Sequence, residues 1–416
     1  KLSMMKKLLM IFTAALCCMA VQAKTPFAKS RNSSVKTGIE VLREKNFEGL
    51  VGKKVGLVTN PSGVDHQLNS TIDILHAAPE VNLVALYGPE HGVRGDVVAG
   101  EKVNDQIDAK TGLKVYSLYG KTRKPTAEML AGVDVLVYDI QDIGCRSYTF
   151  ISTMGLVMEA AVENSVEVVV LDRPNPLGGL KVEGSGVSEG YFSFVSQFDI
   201  PYIYGLTCGE LALYLNEKIC CSLTVVPMLG WERTMNFKDT GLPWVPTSPQ
   251  IPSTTSAICY PATGIIGEMG FLNIGVGYTL PFEVMTAPWA NAVQLADSLN
   301  ALNLQGVDFR PITFKPLFGS LQGKYVQGVQ IHITDFNAAR ISEIQFHVIE
   351  MMHKLYPEHK LFSEETKKRN NMFDKVCGTD FIRTEFSKNY KTSDILPYWR
   401  AREDDFRNIS KKYYLY

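Results

Sequence analysis

The sequence predicts an α/β fold: a doubly wound parallel sheet followed by a second, smaller α/β domain. Three observations carry this. Near-continuous, β-branched apolar runs alternate with segments of helical spacing over residues 53–173. The ends of those runs open into polar loops punctuated by Gly and Pro, and a shorter round of alternation follows a proline-dense bridge at 241–264. Strand–helix–strand alternation makes a parallel sheet with helices on both faces, and strands covered on both faces read as unbroken apolar runs. The pattern is Rossmann-like.

The first element is a leader. Lys6 and Lys7 precede an apolar run, Leu8 to Ala20, that ends in Val21-Gln22-Ala23. A basic start, a short apolar stretch and small residues before the cut read as a secretory signal peptide over 1–23, too short for a comfortable membrane span. Translation is expected to start at Met4 or Met5. Cleavage removes Lys1, Lys6 and Lys7 and no acid, so the formal charge of -1 becomes -4. The expectation is an exported, periplasmic protein with no stable membrane insertion after cleavage. Cys17 and Cys18 raise a lipoprotein alternative, weakened because Leu16, rather than a small residue, precedes Cys17. Residues 24–36 are polar, without a period, and read as a tether.

A catalytic domain is then expected over 37–255. Its strands are "KKVGLVTN" (53–60), "VNLVALYG" (81–88), "DVLVYDI" (134–140) and "EVVVLDR" (167–173), with "KVYSLYG" (114–120) a weaker fifth. Helical spacing marks 70–78, 125–132 and 151–164, with Ser70 placed as an N-cap and Pro125 as a first-turn proline. "GLTCGELALYLNEK" (205–218) reads as a helix whose Thr207 and Glu210 form a capping box, which makes Glu210 structural. After the bridge, a C-terminal α/β domain over 256–416 is expected to complete a cleft. It contains the strand "VQGVQIHITD" (326–335) and the helix "SEIQFHVIEMMHKLY" (342–356).

Composition narrows the partners. With 416 residues, 45% hydrophobic and 20% charged, the chain can bury large cores. A near-neutral charge without a Lys/Arg stripe argues against nucleic acid. No GxGxxG follows a strand, "GKT" (120–122) has Val115 where a phosphate loop needs glycine, and "GVSEG" (186–190) lacks the strand before Ser188 that a nucleophile elbow requires. His347 and His353 point about 240° apart on a helix and cannot share an ion. The six cysteines after the leader show no CxxC spacing. No cofactor and no metal are expected.

In open α/β sheets, ligands bind beyond the carboxyl ends of the strands. Four loops leave those ends here: "TNPSG" (59–63), "GPEHGVRG" (88–95), "IQDIGCRSYT" (140–149) and "RPNPLGG" (173–179). Together they bring Asn60, Glu90, His91, Arg94, Asp139, Gln141, Asp142, Arg146, Tyr148, Arg173 and Asn175 to one rim. Taken singly, each loop also fits a structural role, with Asp142 or Asn175 capping a turn and Arg173 in a surface ion pair. That role must hold four times along one edge, which favours function for the set. Glu90, on a partly solvated loop, suits a general acid, and Asp139 or Asp142 suits a second carboxylate. Arg146 and Tyr148 are placed to hydrogen-bond substrate oxygens; Tyr87, Tyr119, Trp231 and Trp244 offer faces for a sugar. Unaided, the residues indicate an exported hydrolase with a polar substrate, without singling out a sugar.

From about Gly38 to Tyr416 the chain resembles a family once catalogued as the DUF1343 domain of unknown function, now represented by NamZ-type exo-β-N-acetylmuramidases of peptidoglycan turnover. The resemblance rests on "GLVTNPSGVD", "LYGPEHGVRGD", "VYSLYG", "DVLVYDIQDIGCRSYTFISTM", "VVVLDRPNPLGG", "GLTCGELA", "WVPTSPQIPS", "LPFEVMTAPW" and "KKYYLY". It implies a Rossmann-like N-terminal domain, a smaller C-terminal α/β domain with the cleft between them, and release of terminal MurNAc from peptidoglycan-derived saccharides or muropeptides. It implies Glu90 as the catalytic acid. It carries the family's D-x-Q-D-x-G-x-R-x-Y-T string onto Asp139, Gln141, Asp142, Gly144, Arg146, Tyr148 and Thr149, and its RPNP string onto Arg173 and Asn175. Three places depart from the family pattern. "IYGLT" (203–207) stands for a basic "RHGMT", "TSPQ" (247–250) for PSPN, and "GVGYT" (275–279) has Val276 for an arginine. Cations suited to the anionic lactyl sugar are thereby lost, so another hexosamine or a modified muropeptide is an alternative substrate. A non-catalytic periplasmic glycan or muropeptide binder on the same fold is a second hypothesis, and an exported hydrolase of a non-sugar bond a third.

Overall fold

A computed structural model describes residues 35–95, 106–363 and 366–416. The expected leader, Cys17, Cys18 and the tether up to residue 34 lie outside the described residues. Strands β1 (Lys54–Thr59), β2 (Asn82–Gly88), β3 (Gln106–Ile107), β4 (Lys114–Ser117), β5 (Val135–Asp139), β6 (Glu167–Leu171) and β7 (Leu223–Val226) form one sheet in the order β3-β4-β2-β1-β5-β6-β7. All neighbours are parallel except β3 and β4. The four strong apolar runs and the weaker fifth are strands; β3 and β7 were not foreseen.

Helices α1 (Gly38–Glu44), α2 (Thr71–Ala77), α3 (Ala127–Leu130), α4 (Phe150–Asn164) and α5 (Cys208–Ile219) cover the sheet. Strand periodicity sends alternate side chains to opposite faces. Val55, Leu57, Val135, Val137, Val169 and Leu171 accordingly meet Ile39, Leu42, Ile72 and Leu75 of α1 and α2. Val58, Leu136, Tyr138, Val168 and Val170 meet Phe150, Met154 and Leu211 of α4 and α5. Each fully buried aliphatic side chain contributes about 2 kcal/mol, which explains why no polar alternation survives in these strands. Ser70 caps α2 through Ile72 N, and the Thr207–Glu210 capping box starts α5. At α3 the cap is Thr126, not a turn begun by Pro125, because the Thr126 hydroxyl accepts from Met129 N.

The second α/β unit contains α6 (Thr254–Gly267), β8 (Val284–Ala287), α7 (Ala292–Asn300), β9 (Val307–Phe314), β10 (Val326–Ile333) and α8 (Ile344–Leu355). Four helices follow: α9 (Lys367–Cys377), α10 (Phe381–Asn389), α11 (Thr392–Arg400) and α12 (Glu403–Ser410). Its sheet is antiparallel, ordered β8-β10-β9. The core beneath it joins Leu295, Leu299, Val348 and Met352 to Phe309 and Val329. The same core takes in Ile143, Cys145, Leu177 and Ile203 from loops beyond the parallel sheet. The rim is therefore roofed by the second unit. Strand order reverses at β1, with β2 on one side and β5 on the other, the switch point at which such sheets bind ligands. Among the described residues no helix is long and apolar enough to cross a membrane.

Candidate active site

The four loops converge, but most of their polar side chains bind one another. Asn60 accepts from the amide and hydroxyl of Ser62 and donates to the Thr247 carbonyl. Gln141 donates to the Asp142 and Pro174 carbonyls. Asn175 donates to Leu206 O and accepts from Leu177 N. It lies so close to Gly144 that a Cβ there would stand 2.2 Å from its Oδ1. These amides staple loop to loop.

The charged residues divide similarly. Asp139 is 0% exposed; Arg173 donates to both its oxygens, and Thr71 adds a third bond. Arg173 is thus in a buried pair, not the surface pair considered above. Arg94 pairs with Asp108 and Asp73, fastening its loop. Arg146, expected to meet substrate oxygens, is instead wholly buried and donates to the carbonyls of Ser185, Ile200, Val376 and Cys377. His91 is buried with a φ of +75°, in the left-handed region.

Three acidic or phenolic groups remain around Glu90. Strand register pairs Gly88 with Ser117, and Leu118 N donates to Gly88 O at 2.8 Å. Two residues further on, Glu90 and Tyr119 stand side by side, both half-buried. Burial, and then the hydrogen bond and charge of Glu90, push the Tyr119 phenol up to about 12. Tyr148 hydrogen-bonds Thr247 Oγ1 at 2.7 Å and meets Phe150 and Tyr260 edge-on. Its phenol is raised by burial, with smaller contributions from the charges of Asp142 and Glu90, so both carboxylates act on it. Asp142 Oδ2 accepts from Gly144 N and the Tyr204 hydroxyl, whereas Oδ1 has no partner among the described residues. Burial pushes this carboxyl up to about 7 against those bonds. A half-buried carboxylate beside one phenol, near a second phenol and a buried carboxyl whose pKa is raised, supplies acid–base groups and donors for hydroxyl or amide oxygens.

Residues 55–255 match the N-terminal, and residues 258–416 the C-terminal, sequence profile of the exo-beta-N-acetylmuramidase NamZ. The chain belongs to the NamZ family. It is a glycoside hydrolase. The peptidoglycan beta-N-acetylmuramidase NamZ of Bacillus subtilis strain 168 is 44% identical over 389 residues, 93% of this chain and 92% of that protein. A DUF1343 family protein of Bacteroides fragilis NCTC 9343 superposes with a TM-score of 0.88 at 59% identity, covering 92% of this chain and 99% of its own. A second protein of that family and strain gives 0.71 at 28% identity, with the same coverage.

One of the three departures from the NamZ pattern, at 203–207, now has a location. Ile203 is fully buried and exchanges main-chain bonds with Glu183, and Tyr204 holds Asp142. Of the aromatics read as sugar platforms, Tyr87 donates to Met129 O inside the first core, and Trp231 is buried against Tyr416. Trp244 is half-buried and packs on Phe237; Tyr119 is the one beside Glu90. Tyr204 and Thr247, marked in the sequence only as departures from the family pattern, and Tyr260, not singled out there, are neighbours of this cluster. Thr247 and Tyr260 both lie in the stretch read as a proline-dense bridge over 241–264, whose second part is instead the helix α6.

Proposed function

We propose that this chain is an exported, exo-acting β-N-acetylmuramidase that removes terminal MurNAc from the non-reducing ends of peptidoglycan fragments, with Glu90 as general acid. The observation that carries the reading is the Glu90–Tyr119 pair at the carboxyl edge of the sheet. It occurs in a chain 44% identical to a peptidoglycan β-N-acetylmuramidase. A sugar oxygen leaves poorly as an alkoxide, so it needs a proton as the bond breaks. Glu90 is half-buried, open enough to meet a ligand and close enough to Tyr119 to be held in place.

The second group is better sought on the substrate than at Asp139. Both Asp139 oxygens are engaged by Arg173 and Thr71, and the spare oxygen of Asp142 is sealed from solvent. That favours the acetamido oxygen of MurNAc as the group that stabilises C1, a known exception to the two-carboxylate pattern. Asp142 and Tyr148 then serve as positioning residues around the acetamido group. Export is favoured by the signal-like residues 1–23.

The direct test offers the protein a muropeptide with MurNAc at its non-reducing end and the same fragment capped by GlcNAc. Free MurNAc from the first, none from the second and no internal cuts are expected. Internal cleavage, or binding without product, contradicts the reading. A MurNAc-thiazoline that binds at least about 100-fold more tightly than MurNAc itself would support participation by the acetamido group.

A further inference from the structure

We propose that Arg123 reads the lactyl carboxylate of the terminal sugar and sets the preference for MurNAc over GlcNAc; this rests on the muramidase reading above. The distinguishing group of MurNAc is an anion, and a planar guanidinium is the side chain best shaped to receive a carboxylate on two bonds. The arginines already described near the rim are occupied. Arg173 is locked to Asp139, Arg146 to four main-chain carbonyls, and Arg94 to Asp108 and Asp73. Positions 203, 204 and 276 carry Ile, Tyr and Val and supply no cation.

Arg123 differs on each count. It is exposed and has no carboxylate partner among the described residues. It lies four residues beyond Tyr119 on the loop that leaves β4, and that loop is fixed to the end of β2 by Leu118 N on Gly88 O. Ser117 Oγ donates to Tyr119 O at 3.1 Å and steadies the start of the loop. The guanidinium stands 4.2 Å from the centre of the Phe194 ring, and the Phe194 carbonyl accepts from Ser152 Oγ of α4 at 2.7 Å. A cation over a ring face is oriented without being neutralised, so its charge stays available to an anion. Arg123 also acts electrostatically on Tyr119, the partner of Glu90, which puts it on the same side of the rim as the acid.

The test compares kcat/KM of wild type, Arg123→Gln, Arg123→Lys and Lys121→Gln on para-nitrophenyl β-MurNAc and its GlcNAc twin. With Arg123→Gln, the MurNAc value is expected to fall about 10- to 100-fold, mainly through KM, as for loss of a charge-assisted bond. The GlcNAc value should lose at most about threefold. Arg123→Lys should recover part of the selectivity, because it restores charge without the fork. Lys121→Gln, exposed on the same loop, should leave the ratio as in wild type. A ratio unchanged in Arg123→Gln, an equal fall on both substrates, or a collapse on Lys121→Gln overturns the proposal. A wild-type protein that releases MurNAc from neither this substrate nor muropeptides defeats the muramidase reading itself, a separable failure.

Discussion

Glu90 and Asp139 are both acids just past, or at, the ends of parallel strands, and their surroundings give them opposite parts. Asp139 is enclosed, with Arg173 on both oxygens, whereas Glu90 keeps solvent access and a phenol. The sequence placed both on the rim, because strand ends are legible from apolar runs. It did not tell them apart, because the partner of each carboxylate comes from a different loop. Asp142 adds a titratable signature. Its folded carboxyl lies near 7 against an ordinary value of 3.8, raised by burial. The folded state therefore binds the proton more tightly, so the contribution to stability is full below about pH 4 and is lost as pH rises through 7. Asp142→Asn removes that loss while keeping an acceptor for Tyr204. The variant's melting temperature relative to wild type should be higher at pH 8 than at pH 4.5. Scanning fluorimetry at the two pH values checks this, and an equal difference at both contradicts it.

At the scale of elements, the strands with unbroken apolar runs were readable because both their faces are covered. The strands β3 and β7 were not, since β3 has only two residues and β7 is a short, largely half-exposed edge. The capping box of α5 was readable because its chemistry is local: Thr207 and Glu210 need only each other. What the sequence could not show is how closely α5 meets the sheet. A Cβ on Gly209 would stand 2.6 Å from Val225 and 2.7 Å from the Asp172 carboxyl carbon. Gly209→Ala, although it raises helix propensity, is expected to destabilise by about 1–3 kcal/mol through overpacking. Urea denaturation measures it; a variant as stable as wild type would show that α5 can slide outward at no cost.

At the scale of the whole molecule, a second α/β unit completing a cleft was expected, but not that the loops of the first are built into its hydrophobic core. That contact joins residues more than 200 positions apart, beyond any local pattern. Arg146 is its clearest member. From the loop after β5 it donates to the last carbonyls of α9, Val376 and Cys377, where a cation also complements the negative end of the helix. Gly378 just beyond has a φ of +77°, and a Cβ there would lie 3.0 Å from the Arg146 guanidinium. Arg146→Met should strip four buried carbonyls of their donor and lower stability by at least about 3 kcal/mol. The folded fraction should keep a KM within about threefold of wild type. A large rise in KM with an unaltered melting temperature would instead put this arginine on the sugar.

If Glu90 delivers the proton to the departing oxygen, as proposed, the leaving-group dependence of Glu90→Gln shows it most directly. With a MurNAc disaccharide, whose leaving sugar needs protonation, turnover should drop by about 10²- to 10⁴-fold. With a 2,4-dinitrophenyl β-MurNAc, whose phenolate leaves unaided, the loss in the bond-breaking step should be far smaller, and the melting temperature should match wild type. Equal losses on both substrates, or no loss on the disaccharide, would contradict the account.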